Sequence, residues 1–395
     1  MAKRMVAGTG QTAIAMNMTR DGTRIKETGK YALLDVDVLL GVGWFFNHSM
    51  KLKHQDISKS STNAVANIRV GEWDNGLFWP RGLHRYPRPP ISERTESYIP
   101  FLVGYSGEAY GGGSCHGLDV MIDAGGAHDP RKKRPRGCTV VFALSALRTM
   151  MSRNNHATEH LVLANPPPRV SMQGKKFAAF LAKRCYHSQY TAQVSVRPAF
   201  FDILSEYKQV TALRNQAGGG CRVTRETTDS VIRKNATLSA WDAAVETYKR
   251  YKFVITFENR QLNGYLTEKI VNALLAGVVP IYFGAPDVGN YLNTKRFVHC
   301  DVDAEKVLNY PFPKGKEKAT ENPEGVISYV KETIGDGLRK CAERVKELDQ
   351  NDDLYYEMIS QPILPGNQLE GSEFDVQTVI DRVRRAMKLH QEGSD

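Results

Sequence analysis

The chain has 395 residues, with 53 Lys and Arg against 43 Asp and Glu, for a formal net charge of +10. Hydrophobic residues make up 41% and charged residues 24%, which is ordinary for a soluble globular protein and excludes a collagenous, mucin-like or wholly disordered chain. Single cores stop growing at roughly 250–300 residues, so two domains are expected.

Residues 1–30 are polar and weakly patterned and read as a poorly ordered N-terminal arm. The longest apolar run, Tyr31–Phe46, is interrupted by Asp35 and Asp37. A spanning helix needs about 20 mostly apolar residues, so no integral membrane segment is expected. The stretch MAKRMVAGTGQTAIAMN also lacks the apolar block of a signal peptide. Asp37–Phe46, Tyr98–Tyr105 and Leu118–Ile122 read as strands, Asn67–Val70 as a short one, and Val140–Met151 as strand or helix. Asn165-Pro166-Pro167-Pro168 marks a stiff joint between domains. Beyond it, Lys176–Leu181 is a strand candidate, Pro198–Tyr207 has helical spacing, and Leu238–Tyr251 is a helix candidate. Then come a strand at Phe253–Phe257, a helix at Tyr265–Ala276 with Gly277 at its C-terminal cap, and a strand at Val278–Phe283. Strand, loop, helix, Gly and strand make a βαβ unit of a parallel sheet. Two helices are expected near Pro323–Ile334 and Gly337–Leu348. The class is therefore α/β, with domains over residues 31–168 and 169–362 and a C-terminal tail over 363–395.

Six widely spread cysteines form no CxxC pair, which argues against structural zinc while permitting disulfides. Asn17, Asn47 and Asn235 sit in N-x-S/T sequons; such short patterns arise by chance and only keep a secretory route open. The positive excess suits either a solvated surface or anionic ligands. Its sharpest run, Arg131–Arg136, lies in a loop without interleaved aromatics, so no nucleic acid partner is expected. The triplets Asp35-Val36-Asp37 and Asp301-Val302-Asp303 can chelate a divalent metal in principle. They are common by chance, so no metal residue is assigned; Mn or Mg is allowed and not required.

The most informative stretch is YKFVITFENRQLNGYLTEKIVNALLAGVVPIYFG, Tyr251–Gly284. Glu258-Asn259 falls at the carboxyl end of a strand, the edge of an α/β sheet where ligands bind. A helix then opens near Tyr265-Leu266-Thr267, and its free N–H groups and positive dipole end favour a phosphate. Lys269 in the first turn is out of place unless an anion offsets it; Glu268 is part of that offset, or a diphosphate is. The plainer alternative is that Thr267 caps, Glu268 suits the dipole and Lys269 points to water.

Phe257-Glu258-Asn259, followed by Tyr265-Leu266-Thr267-Glu268-Lys269 and the VPIYFG strand, resembles the α-1,3-fucosyltransferases of glycosyltransferase family 10. KFAAFLAKRC, VRPAFFDILSEYKQV and Asp353–Ser360 add to the likeness, which covers about residues 170–360 well and the N-terminal half weakly. The resemblance implies two Rossmann-like domains in a GT-B arrangement, with donor binding in residues 169–362 and acceptor binding in 31–168. It implies an enzyme that transfers L-fucose from GDP-fucose to an oligosaccharide or glycoprotein hydroxyl with inversion, with no cofactor required. By motif, Arg197, Asn259, Tyr265, Glu268 and Lys269 become the donor-binding residues. Arg197 and Lys269 would stabilise the charge that develops on the leaving GDP, while Glu268 would accept hydrogen bonds from hydroxyls. Tyr105-Ser106-Gly107-Glu108, after an apolar strand, resembles the family's base segment, which makes Glu108 the general base. Arg260 stands where the family often has Ser or Thr, and Lys183-Arg184-Cys185 where it has Ser-Asn-Cys. These departures leave a transferase for another nucleotide-sugar as an alternative, and loss of Glu108 function would leave a catalytically silent nucleotide-sugar-binding protein. The expected location is cytoplasmic for a full-length chain, or the Golgi lumen for one lacking an N-terminal anchor.

Overall fold

A computed structural model describes residues 13–18, 25–27, 38–42, 101–105, 120–123, 139–151, 157–162, 174–182, 192–214, 225–227, 240–310 and 323–391. The chain divides into two compact units, residues 1–145 with 375–395, and residues 146–374. The divisions fall after Ser145 and Phe374 instead of at 168/169 and 362/363.

The first unit is built on a six-stranded sheet of β1 (Ala13–Met18), β2 (Ile25–Glu27), β3 (Val38–Val42), β4 (Phe101–Tyr105), β5 (Val120–Asp123) and β6 (Thr139–Phe142), in the order β2-β1-β3-β4-β5-β6. Only the β1–β2 pair is antiparallel. Two expectations are corrected here. Residues 1–30 hold two strands of this sheet. The residues read as a C-terminal tail include a helix, Val376–Gln391, which packs on β5 and β6. Its buried Val379, Ile380, Val383 and Ala386 recur at helical spacing, so one face closes the sheet. The segment Val140–Met151 is strand and then helix: β6 is followed by α1 (Ser145–Met151). The expected strand at Asn67–Val70 lies outside the described residues.

The second unit is an all-parallel six-stranded sheet. Its strands are β7 (Lys176–Leu181), β8 (Val210–Arg214), β9 (Arg225–Thr227), β10 (Tyr251–Ile255), β11 (Val279–Tyr282) and β12 (Val298–His299). The order β12-β11-β10-β7-β8-β9 is, read from its other end and renumbered within the unit, 3-2-1-4-5-6. That is the doubly wound Rossmann order, which reverses direction between its first and fourth strands, here β7 and β10. Parallel strands need crossovers. These include α2 (Val196–Tyr207), α3 (Ala240–Tyr248) and α4 (Glu268–Leu275). The expected α/β class is the one observed, and the second unit has the Rossmann strand order.

Side-chain alternation along the strands fills both faces of the second sheet. Phe253, Ile255 and Phe257 join Phe177, Phe180, Phe200 and Phe201 in one core, and Val254 joins Ala179, Val245, Tyr248 and Ala273 in the other. Phe257 stacks on Phe200 with ring centroids 4.8 Å apart, so the strand end that carries Glu258 is anchored to α2, which carries Arg197. Tyr251, read as helix, is fully buried in β10, because α3 stops at Tyr248 and the chain turns through Lys249-Arg250.

Where two helices were expected after Pro323, one runs unbroken as α5 (Pro323–Gln350). Gly337, placed at the start of the second expected helix, lies within it and serves packing. A Cβ on Gly337 would lie 2.6 Å from Val302 Cγ1, so glycine lets the helix approach the segment after β12. A short helix, α6 (Asp352–Ile359), follows, and Val376–Gln391 is α7. Lys252 binds both Asp349 and Asp352, at 3.1 and 3.2 Å, fastening the junction of α5 and α6 to β10. Cys300 and Cys341 form a disulfide between the end of β12 and α5. No described helix is long and apolar enough to cross a membrane.

Candidate active site

In an open α/β sheet the reversal of strand order is where a ligand crevice forms, here at the carboxyl ends of β7 and β10. The residues that leave β10 there are Thr256-Phe257-Glu258-Asn259. Thr256 N–H donates to the Ile281 carbonyl and Glu258 N–H to the Phe283 carbonyl, each at 2.8 Å. The backbone thus stays in register with the β11 side for three residues beyond the strand. It then turns through Asn259–Tyr265 and enters α4.

The start of α4 follows from its sequence. Thr267 is the N-cap in extended conformation, and its hydroxyl faces Lys269 N–H. Glu268 supplies the acidic first-turn residue. At the far end Gly277 takes φ +69°. Its N–H donates to the Leu274 carbonyl and Val278 N–H to the Ala273 carbonyl, the paired bonds of a Schellman stop.

Lys269 does not point to water. Its Nζ lies 2.9 Å from Glu258 Oε2 and 2.9 Å from Thr267 Oγ1. Glu258 is completely buried. Its carboxylate also accepts the Thr267 N–H at 2.8 Å and the Thr267 hydroxyl at 2.8 Å. Glu268 approaches the same ammonium at 3.8 Å. The offset for the first-turn cation is therefore chiefly Glu258, which was read only as part of a motif. The signal for it was present: an acid at a strand end, with a cation in the first turn of the following helix. Burial alone would push the Lys269 ammonium down, and the carboxylates of Glu258 and Glu268 outweigh it, leaving its pKa raised. Burial pushes the Glu258 carboxyl up, with Lys269 opposing.

Arg197 reaches the crevice from the first turn of α2 and is 6% exposed. Its Nε donates to the Phe257 carbonyl at 3.0 Å and the Glu258 carbonyl at 3.2 Å, and an NH2 group donates to Asn259 Oδ1. Arg197 thus fixes both the end of β10 and the Asn259 side chain. Tyr265 is buried at 1% exposure in the turn before the cap. Arg197, Asn259, Tyr265, Glu268 and Lys269 therefore gather at one sheet edge. Glu108 lies outside the described residues, as do Arg131–Arg136 and the first Asp-x-Asp triplet.

Several supports went unread in the sequence. Gln261 pairs with backbone on both sides, donating to the Val302 carbonyl at 2.8 Å and accepting from Ala304 N–H at 3.0 Å. Gln193 donates to the Ala304 carbonyl and accepts from Gln261 N–H. Together they tie the loop after Asn259 to the segment after β12. Asp287 accepts from Gly264 N–H at 2.9 Å. A Cβ on Gly284 would sit 2.6 Å from Glu258 Cγ. Asp303 caps a 3-10 turn by accepting from Glu305 N–H, and among the described residues no three His, Cys, Asp or Glu side chains gather as a metal site.

Residues 180–308 match the model of the glycosyltransferase family 10 (fucosyltransferase) C-terminal region. A putative fucosyltransferase, R654, of Acanthamoeba polyphaga mimivirus is 28% identical over 188 residues, covering 48% of this chain and 24% of the relative. The alpha-(1,3)-fucosyltransferase FucT of Helicobacter pylori is 29% identical over 192 residues, covering 46% and 35%. The chain thus spans about a quarter to a third of the length of these curated relatives. Among solved structures, an alpha1,3-fucosyltransferase with GDP is similar at 19% identity, covering 75% of this chain and 76% of the other, with a TM-score of 0.43. Residues 180–308, which hold Arg197, the end of β10 and the start of α4, thus match the C-terminal model of glycosyltransferase family 10, the fucosyltransferase family that the motifs at 257–259 and 265–269 resemble.

Proposed function

We propose that this protein transfers L-fucose from GDP-fucose to a hydroxyl of an oligosaccharide or glycoprotein, with inversion at the fucose C1. The observation that carries the reading is the convergence of Arg197, Asn259 and Lys269 at the topological switch point of the region that matches family 10. Two cations at a sheet edge suit a diphosphate, and a nucleotide diphosphate is the leaving group of such a transfer. Arg197 presents a planar fork and Lys269 a point charge. As the C1–O bond to the β-phosphate breaks, its electron pair leaves with GDP, and both cations face the developing charge. No metal is needed for that stabilisation. The acceptor oxygen bonds to C1 from the opposite side and loses its proton to a base. Glu108 is the base assigned by this reading.

The test is product analysis. The protein is incubated with GDP-fucose and a panel of oligosaccharides, without added metal, and the product is examined by NMR. An α-L-fucoside is expected, since inversion of the β-linked donor gives the α anomer. A β-linked product would overturn inversion, and hydrolysis alone would overturn transfer to these acceptors. Glu108→Gln should lower turnover by about 10²–10⁴-fold while GDP affinity is unchanged. Wild-type turnover in that variant would remove Glu108 from the role.

A further inference from the structure

The amino end of α4 is where an incoming phosphate was expected, yet the protein has put a carboxylate of its own there. Glu258 is completely buried. Both its oxygens receive the Thr267 hydroxyl within 2.8 Å, one receives Thr267 N–H, and the other holds the Lys269 ammonium at 2.9 Å. Thr267 completes a closed triangle, since its hydroxyl also lies 2.9 Å from Lys269 Nζ. Gly284 leaves no space beside this carboxylate, since a Cβ on Gly284 would lie 2.6 Å from Glu258 Cγ. The Lys269 side chain as a whole keeps 23% exposure, while its ammonium is bound to Glu258 and Thr267.

We propose that Glu258 is a positioning residue that fixes the Lys269 ammonium and keeps it charged through the alkaline range, so that a donor diphosphate meets a permanent cation. The second half of this statement rests on the function proposed above; the first half does not. A lysine buried beside a neutral partner loses its proton easily, because burial penalises the charged form. The groups facing Lys269 are Glu258 at the end of β10, Glu268 on α4 and Arg197 on α2. Arg197 pushes the ammonium toward losing its proton, and Glu268 is farther away than Glu258. Tyr282 on β11 faces Glu258 and is itself held protonated by burial and that carboxylate. Glu258 is thus the group whose charge decides the state of Lys269.

The experiment compares wild type with Glu258→Gln, in which the amide can still accept from Lys269 but carries no charge. Lys269 is probed directly by competitive acetylation with acetic anhydride between pH 7 and 10, read by peptide mass spectrometry. Lys269 of the wild type should react later in pH than the exposed lysines. In Glu258→Gln its reactivity curve should move down by one pH unit or more, about a tenfold gain at fixed pH. GDP affinity, measured by calorimetry from pH 7 to 9, should acquire in the variant a falling alkaline limb of up to about tenfold per pH unit that the wild type lacks. Superimposable acetylation curves would overturn the proposal. A shifted acetylation curve with no GDP binding by the wild type would uphold the role of Glu258 and overturn the function instead. If Glu258→Gln does not fold, Glu258→Asp retains the charge. Lys269 should then stay protected while GDP affinity falls equally at every pH, and a Lys269 that reacts like the exposed lysines would contradict the account.

Discussion

Gly284→Ala tests how tightly the site is built. The added Cβ would lie 2.6 Å from Glu258 Cγ and 2.8 Å from Tyr282 Cζ, and closer still to the Tyr282 hydroxyl. Neither neighbour can yield cheaply. Tyr282 and Glu258 are both at 0% exposure, and the Tyr282 hydroxyl accepts Ala285 N–H at 2.8 Å. Overpacking of this kind costs about 1–3 kcal/mol. For a unit of this size that is a fall in melting temperature of roughly 2–12 °C, at about 2–4 °C per kcal/mol. Any shift of Glu258 disturbs its bonds to Thr267 and Lys269, so GDP affinity should fall by more than the stability loss alone would cause. The assay pairs a calorimetric melt with a GDP titration well below the variant's melting temperature. Tyr282→Phe in the Gly284→Ala background removes the nearest atom and should restore part of the stability. A Gly284→Ala protein that melts and binds like wild type would refute the reasoning.

Other perturbations have equally definite outcomes. Arg197→Lys keeps the charge but cannot reach the Phe257 and Glu258 carbonyls and Asn259 together; GDP affinity in a titration should fall about tenfold or more, as loss of a charged hydrogen bond implies. Asp349 is pushed up by partial burial, but its bonds to Lys208 and Lys252 outweigh this and hold its carboxyl below the usual aspartate value. A group with a depressed folded value adds stability above its unfolded pKa and loses it as pH falls through the folded value. Asp349→Asn should therefore melt below wild type at pH 6, with the gap closing as pH drops below about 4. The Cys300–Cys341 bridge closes a separation of 41 residues; replacing both cysteines with serine should cost about 2–4 kcal/mol in denaturant unfolding. Unchanged unfolding would show that the bridge does not form in solution.

Legibility in the sequence tracked how local the determining physics was. The β10–α4–β11 unit could be read because an apolar strand, a Thr cap, an amphipathic turn and Gly277 each point to one structure. The five side chains named for the donor site lie near one strand end for the same reason, since four of them fall within one loop and the first helical turn. The role of Glu258 was missed because it depends on a side chain closing back over eleven residues. Two helices were expected where one runs because the use of Gly337, close approach to Val302, is tertiary. Residues 376–391 carried a helical apolar pattern that a polar composition masked. The Gln193–Gln261 pairing has no local signature, as each glutamine satisfies backbone atoms of a distant segment. Glu108 remains tied to a short motif alone.

The central claim is that residues 180–308 form a pocket for a guanosine diphosphate sugar with Lys269 and Arg197 as its cations. Calorimetric titration of wild type and Lys269→Ala with GDP-fucose, GDP-mannose and UDP-sugars, without metal, tests it most directly. The account predicts selective binding of GDP-fucose by the wild type and a loss of at least about tenfold in Lys269→Ala. Preference for a UDP-sugar, or GDP-fucose binding that survives Lys269→Ala unchanged, would contradict it.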